Sequence, residues 1–353
     1  MNKKEAQLYS DIYCNTDGKR FDFLKIILAI LVVAIHTTPT NFILIPVLRL
    51  AVPIFFIMTS YFFFSKQKRL NSLKEKKHAL LVLIRRFLYL YLFWFIVLLP
   101  VTIVVRKWYI SPGINTIFEI LRNFLFGSTF RASWFLMASL LNIIFVWFVS
   151  NKIGNYILLF LGFALYYICC LFSNYYNIIG NSHILYIYHI YAQYIAAPYN
   201  SFPVALVFVM FGKILSEKSF FVQQRYLFML ILISLSLLFT EYYVIQHFNL
   251  SYEDDSFLFL IPASLYIFMF IGQCQWSCKR DTHNIRKAST VIYCCHCSYA
   301  TIIYHLLFLF NIQSVFTFHL IWFLLTLSTS FITYIIIRKA EDIPLFHFLR
   351  YAH

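Results

Sequence analysis

The chain has 353 residues, 61% hydrophobic and only 12% charged, with a formal net charge of +15. Soluble domains carry about twice that charged fraction, so a soluble enzyme is excluded, as is a disordered chain, which is kept unfolded by low hydrophobicity. The basic residues lie between apolar runs and do not cluster on one soluble face, which argues against a nucleic-acid binder.

Charge-free windows set the architecture. No Asp, Glu, Lys or Arg lies between Lys25 and Arg49, Arg86 and Arg106, Arg131 and Lys152, Lys152 and Lys213, Asp255 and Lys279, or Lys287 and Arg338. A spanning helix needs about 20 mostly apolar residues. The windows therefore predict ten spans, at 23–43, 44–64, 80–105, 133–149, 153–173, 199–216, 226–247, 256–274, 289–310 and 318–337. The expected fold class is all-α, a polytopic integral membrane protein with a polar segment 1–22, a membrane domain 23–340 and a tail 341–353. Residues 1–20 lack a small-residue cleavage site, so no removed signal peptide is expected.

With the N-terminus inside, 24 of the 29 Lys and Arg residues fall on inner loops. Arg49, Arg106, Lys107, Arg122 and Arg131 fall outside, with the acidic run Glu253-Asp254-Asp255. This asymmetry is the positive-inside pattern and predicts that both termini are cytoplasmic.

In the first span, His36 lies eleven residues beyond Lys25, about 16 Å along a helix. Ionisable groups at that depth usually face the bundle interior and mark a site, and a neutral imidazole can take a proton from a hydroxyl. The plainer reading is a histidine hydrogen-bonded across a helix contact. The outer segment 106–132 carries Trp108, Glu119, Arg122 and Arg131 among apolar residues, the composition of a helix lying along the interface. The tyrosine-rich stretch 174–198, with His183 and His189, reads as a headgroup belt or as a sugar-stacking surface. Glu241 falls near the outer end of the seventh span. Cys294-Cys295-His296-Cys297, with Cys274 and Cys278, lacks the ligand spacing of zinc knuckles, so no metal is expected and His296 reads first as a packing residue.

These residues resemble a known pattern. Asp22, Lys25 and His36 are similar to the first-helix D-x-x-R…His of the acyltransferase-3 family of integral membrane acyltransferases, with Lys25 in place of the usual Arg. Arg49-Leu50-Ala51-Val52-Pro53-Ile54-Phe55-Phe56 resembles that family's R-x-A-V-P-x-F-F. The family's following S-G-Y is here Thr59-Ser60-Tyr61. Arg85-Arg86, Ser133-Trp134-Phe135-Leu136, Glu241, Pro262 and Ser289-Thr290-Val291-Ile292-Tyr293 leading to His296 follow in family order. The resemblance covers residues 20–340 and lies near the branch containing the membrane half of the membrane-bound serine racemases of vancomycin resistance. Residues 1–353 hold no lysine-bearing pyridoxal barrel, so racemase chemistry is not expected of them.

The resemblance implies transfer of an acyl group, commonly acetyl, from cytoplasmic acyl-CoA to a hydroxyl of a cell-surface glycan or lipid-linked sugar. The setting it implies is a bacterial cytoplasmic membrane, with acyl-CoA as co-substrate and no permanently bound cofactor. On that reading His36 and Glu241 are catalytic, and Lys25, Arg85 and Arg86 hold the CoA phosphates. Asp22, Arg49, Tyr61, Trp134 and His296 support the site. Two other classes compete, an amino-acid transporter and an inactive membrane scaffold. Eight glycines, nine prolines and no internal repeat give the transporter little support.

Overall fold

The computed structural model describes residues 18–39, 42–110, 113–180, 183–218, 220–274, 281–310 and 314–353. Most of segment 1–22, and Cys278, therefore lie outside the described residues. Among the described residues all regular structure is helical. In chain order the helices are α1 (Lys19–Thr37), α2 (Ile45–Leu48), α3 (Ala51–Lys68), α4 (Leu73–Arg106), α5 (Ile114–Leu125), α6 (Trp134–Ile153) and α7 (Asn155–Phe172). They continue as α8 (Tyr176–Ile179), α9 (His183–Tyr194), α10 (Phe202–Glu217), α11 (Gln224–His247), α12 (Leu260–Gln273), α13 (His283–Phe308) and α14 (Val315–Ala340).

The chain is a multi-pass membrane protein. Among the described residues, eight helical stretches are long and apolar enough to cross a membrane. The other two expected spans coincide with α1, whose first turns carry Lys19, Arg20, Asp22 and Lys25, and with α12, which has only 14 residues. Helix α4 runs for 34 residues, well past its expected start. A capping box at its N-terminus, Ser72 with Glu75, satisfies the first backbone donors and lets the helix begin in the polar loop.

Helix α10 sits at the centre, against α3, α6 and α7. Close approach is needed there. A Cβ at Gly212 would run into the Ile57 carbonyl and lie 2.8 Å from Tyr61 N, and one at Gly162 would lie 2.9 Å from Val207 Cα. Small residues let membrane helices touch backbone to backbone, and interhelical hydrogen bonds then supplement packing. Ser60 Oγ accordingly donates to Val209 O (2.6 Å), and Asn142 Nδ2 donates to Phe202 O (2.9 Å). Ser60 stands where the family pattern has glycine, and Gly212 on the facing helix supplies the missing room.

The segment 106–132 contains α5. Ile114, Ile117, Phe118 and Leu121 point outward while Asn123 is buried, so its apolar side faces away from the protein, as expected of an interfacial helix. In 174–198, Tyr188 is buried and stacks on Phe172 with centroids 4.5 Å apart, whereas Tyr186 and Tyr194 are exposed.

Candidate active site in two facing cavities

Loop charge names the two ends of the bundle, the end carrying Lys25 being the inner one. The inner cavity, about 490 Å³, is lined by Asp22, Lys25, Lys66, Arg86 and Arg286 beside the aromatic rings Phe55, Phe62 and Phe135. Lys25 pairs with Asp22 (3.4 Å) and lies 5.5 Å from the Phe62 ring centroid. The second Asp22 oxygen accepts from Thr282 Oγ1 (2.8 Å). Lys66 also borders a neighbouring groove of about 860 Å³ with Lys74, Lys77 and His78.

Of the expected CoA-binding residues, Lys25 and Arg86 thus share one cavity, but Arg85 does not line it. Adjacent helical positions diverge by about 100°, and Arg85 borders an adjoining recess with Tyr89, Arg350 and Tyr351, which Arg86 also lines. Arg286, one of the inner-loop cations, lines the cavity with Lys25 and Arg86.

The outer cavity, about 580 Å³, contains His36, Arg49 and Trp134 of the expected set. It adds Arg106, Arg122, Arg131, Glu253 and Asp255. Arg49 forms an ion pair with Asp255. The Glu253 carboxyl, in the loop before α12, is raised to about 7, first by partial burial and then by the charge and hydrogen bond of Asp255, with Arg49 opposing.

His36 opens into this cavity and packs against His296, ring centroids 5.3 Å apart. His296 is fully buried. Its Nδ1 lies 2.7 Å from Tyr293 O and 3.1 Å from Ile292 O. Carbonyls only accept, so Nδ1 carries the proton and the Nε2 lone pair faces Cys297 Sγ at 3.1 Å. One ligand atom from each of His36, His296 and Cys297 lies within 4.8 Å of the others, so these three are the residues that would hold a metal ion if one binds. Cys294 borders the inner cavity instead, and Cys295 is fully buried beside Ser330.

Tyr293 lines both cavities. Its ring packs against Phe55 (5.9 Å), Phe135 (5.3 Å) and His296 (5.9 Å), and its hydroxyl donates to Ala132 O (2.9 Å). A partition built on these rings therefore separates the basic inner cavity from His36.

Two expected site residues lie elsewhere. Glu241 lines neither cavity. Its carboxylate accepts from Tyr175 Oη (2.7 Å), Leu258 N (2.7 Å) and Phe259 N (3.0 Å). It thus satisfies the backbone donors that open α12, and all three of these contacts lie outside the cavities. Tyr61 is buried among Phe21, Phe62 and Phe268, so its ring serves packing.

Comparison with known proteins follows the same lines. A family model described as an acyltransferase domain, of the acyltransferase-3 type, matches residues 19–338. The chain is 28% identical over 260 residues to an amino-acid racemase of Enterococcus faecalis, a match covering 70% of this chain and 35% of the racemase. A second amino-acid racemase of that organism is 30% identical over 145 residues, covering 38% of this chain and 20% of the relative. The chain spans only about a third of the length of the first of these relatives. No solved structure matches.

Proposed function

The chain belongs to the acyltransferase-3 family of membrane acyltransferases, and from that premise we propose that it moves an acyl group, acetyl in the simplest case, from acyl-CoA at the inner cavity to a hydroxyl in the outer one. The observation that carries this reading is the shared wall. A cationic cavity holding Lys25, Arg86 and Arg286 meets the His36 cavity at Tyr293.

Acyl-CoA carries phosphates at one end and its thioester at the other. The groove with Lys66, Lys74 and Lys77 leads through Lys66 into the inner cavity, a run of cations suited to charge-assisted phosphate binding. The pantetheine arm then extends toward the partition of Tyr293, Phe55 and Phe135, and the thioester carbonyl emerges beside His36. His36 takes the proton of the acceptor hydroxyl as its oxygen attacks the carbonyl carbon. The tetrahedral intermediate collapses, the carbon–sulfur bond breaks, and the CoA thiolate receives the proton from His36. His296, held in one tautomer by two carbonyls, positions His36 by packing and adds no second proton to the site. Arg85, Glu241 and Tyr61 are not assigned roles in this chemistry. The acceptor is a hydroxyl-bearing glycan or lipid-linked sugar of the cell surface, and the membrane is the bacterial cytoplasmic one. The racemase activity named for the relatives is not carried over, because the match covers 35% of the longer-matching one.

The test uses purified full-length protein, radiolabelled acetyl-CoA and crude cell-surface glycan. Wild type is expected to transfer label only when glycan is present. Replacing His36 by Gln should cost about 10²–10⁴-fold, the usual contribution of a general base. Transfer surviving in His36→Gln removes His36 from the reaction.

A second reading rests on the His36–His296–Cys297 cluster. Three nitrogen and sulfur ligands with a side open to a cavity suit a catalytic zinc ion, which would occupy the lone pair that the base needs. Stoichiometric zinc in purified protein, with activity lost on chelation and restored by zinc, favours that reading over the base.

A further inference from the structure

The outer cavity contains more positive charge than its own residues neutralise. Four guanidinium groups, Arg49, Arg106, Arg122 and Arg131, face two carboxylates, Glu253 and Asp255. Asp255 is engaged by Arg49. Arg106 lies 4.0 Å from Glu119 and donates to Ser128 O (2.7 Å). Arg122 reaches only neutral acceptors, Gln193 O and Asn123 Oδ1, and its Nε is buried without a partner. Arg131 has no ion pair or hydrogen bond among the described residues.

The backbone on either side of Arg131 is held in place. The loop 126–133 that carries it is tied down from two helices. Tyr91 Oη bonds Thr129 Oγ1 (2.8 Å) and Ser133 Oγ (3.3 Å), Arg106 holds Ser128 O, and Tyr293 Oη donates to Ala132 O (2.9 Å). The next residue, Ala132, adopts φ 69°, a left-handed conformation that costs a non-glycine residue about 1 kcal/mol or more and persists only where surrounding contacts impose it. A strained loop anchored at Ser128, Thr129, Ala132 and Ser133 presents the exposed guanidinium of Arg131, unpaired among the described residues, to the cavity that holds His36.

We propose that the acceptor bears an oxyanion, a phosphate or a carboxylate, beside the hydroxyl that is acylated, and that Arg131, with Arg122 flanking it, binds this group. The planar guanidinium fork fits either anion through paired N–H donors. Fixing the anion also fixes the hydroxyl relative to His36, which is the ordering that transfer requires. This inference rests on the acyltransferase reading for the word acceptor, while the anion site itself does not depend on it.

The test measures binding to the purified full chain in nanodiscs by calorimetry, with glucose, glucuronate, glucose 6-phosphate and inorganic phosphate as probes. Acetyl-CoA is titrated separately. The anionic sugars are expected to bind about tenfold or more tightly than glucose, the gain of roughly one charge-assisted contact, and the preference should shrink as salt rises. Arg131→Gln should abolish the preference, and Arg131→Lys should restore part of it by keeping the charge without the fork. Tighter binding of glucuronate marks a carboxylate acceptor, and tighter binding of glucose 6-phosphate and phosphate marks a phosphorylated one. Equal binding of charged and neutral sugars, no saturable binding of any anionic probe, or a preference that survives Arg131→Gln overturns the proposal. Failure of acetyl-CoA to bind overturns the donor assignment instead and leaves the anion preference to stand or fall by its own measurements.

Discussion

At His296 the backbone decides what the ring can do. Two carbonyls one turn back claim Nδ1, so the acceptor nitrogen faces Cys297 and His36. The sequence shows four residues of a Cys-rich run there and favours packing. The convergence with His36 depends on how α1 lies against α13, which no local pattern encodes. Glu241 shows the reverse: an intramembrane carboxylate reads as a site residue, yet here it closes a helix start. Glu241→Ala is expected to lower stability by about 2 kcal/mol or more, since it leaves buried donors unpaired at Leu258, Phe259 and Tyr175. Thermal unfolding in detergent checks this, and acyl transfer per folded molecule should be retained. A selective loss of transfer with unchanged unfolding would return Glu241 to the chemistry.

At the scale of helices, apolar length gives the spans, while close contact decides which spans are neighbours. Helix α10 touches α3 through Gly212 and α7 through Gly162. Gly212→Leu would push a branched side chain into the Ile57 carbonyl and Tyr61 N. Overpacking of this kind costs typically about 1–3 kcal/mol, and separation of the two backbones would also break the Ser60–Val209 bond. A drop in the melting temperature is expected, together with loss of acetyl-CoA binding, because Thr59 and Phe63 of α3 line the inner cavity. An unchanged melting temperature would show that the two helices have slack. Helix α5 is legible in the sequence because charged residues and Trp108 stand among apolar ones in 106–132. Helix α12 was overestimated in length, because the apolar run continues through Phe257 into a loop that is buried without being helical.

Over the whole molecule, charge separates the two ends by kind. The inner cations line a phosphate-sized approach, and four of the five cations expected outside line the His36 cavity. Those four stand against the positive-inside rule, and only Arg49 also falls on a family element. The same cavity contains Glu253, whose carboxyl is raised to about 7 by partial burial and by Asp255. The sign follows directly. Below pH 7 the group is mostly neutral and the cavity is more positive; above it, ionisation adds a negative charge facing Arg49 and Asp255. Binding of an anionic sugar should therefore strengthen as pH falls through about 7 and weaken above it. Glu253→Gln should flatten that dependence, and calorimetry at pH 6 and 8 (about one unit either side, where protonation changes most) checks it. A slope unchanged in the variant assigns the titration to another group.

The sequence by itself determined the all-α membrane class, the places of the spans and the family, because hydrocarbon thickness and loop charge act on each segment separately. It also marked His36, Lys25, Arg86 and Arg49, whose depth and flanks are local properties. Only the tertiary structure decided that Tyr293 divides two cavities, that His296 and Cys297 meet His36, that Arg131 is left without a partner among the described residues, and that Glu241 and Tyr61 lie outside both cavities. Each of these depends on the rotation of one helix about its axis relative to another. Lipid is nearly indifferent to that rotation, and close packing between helices fixes it.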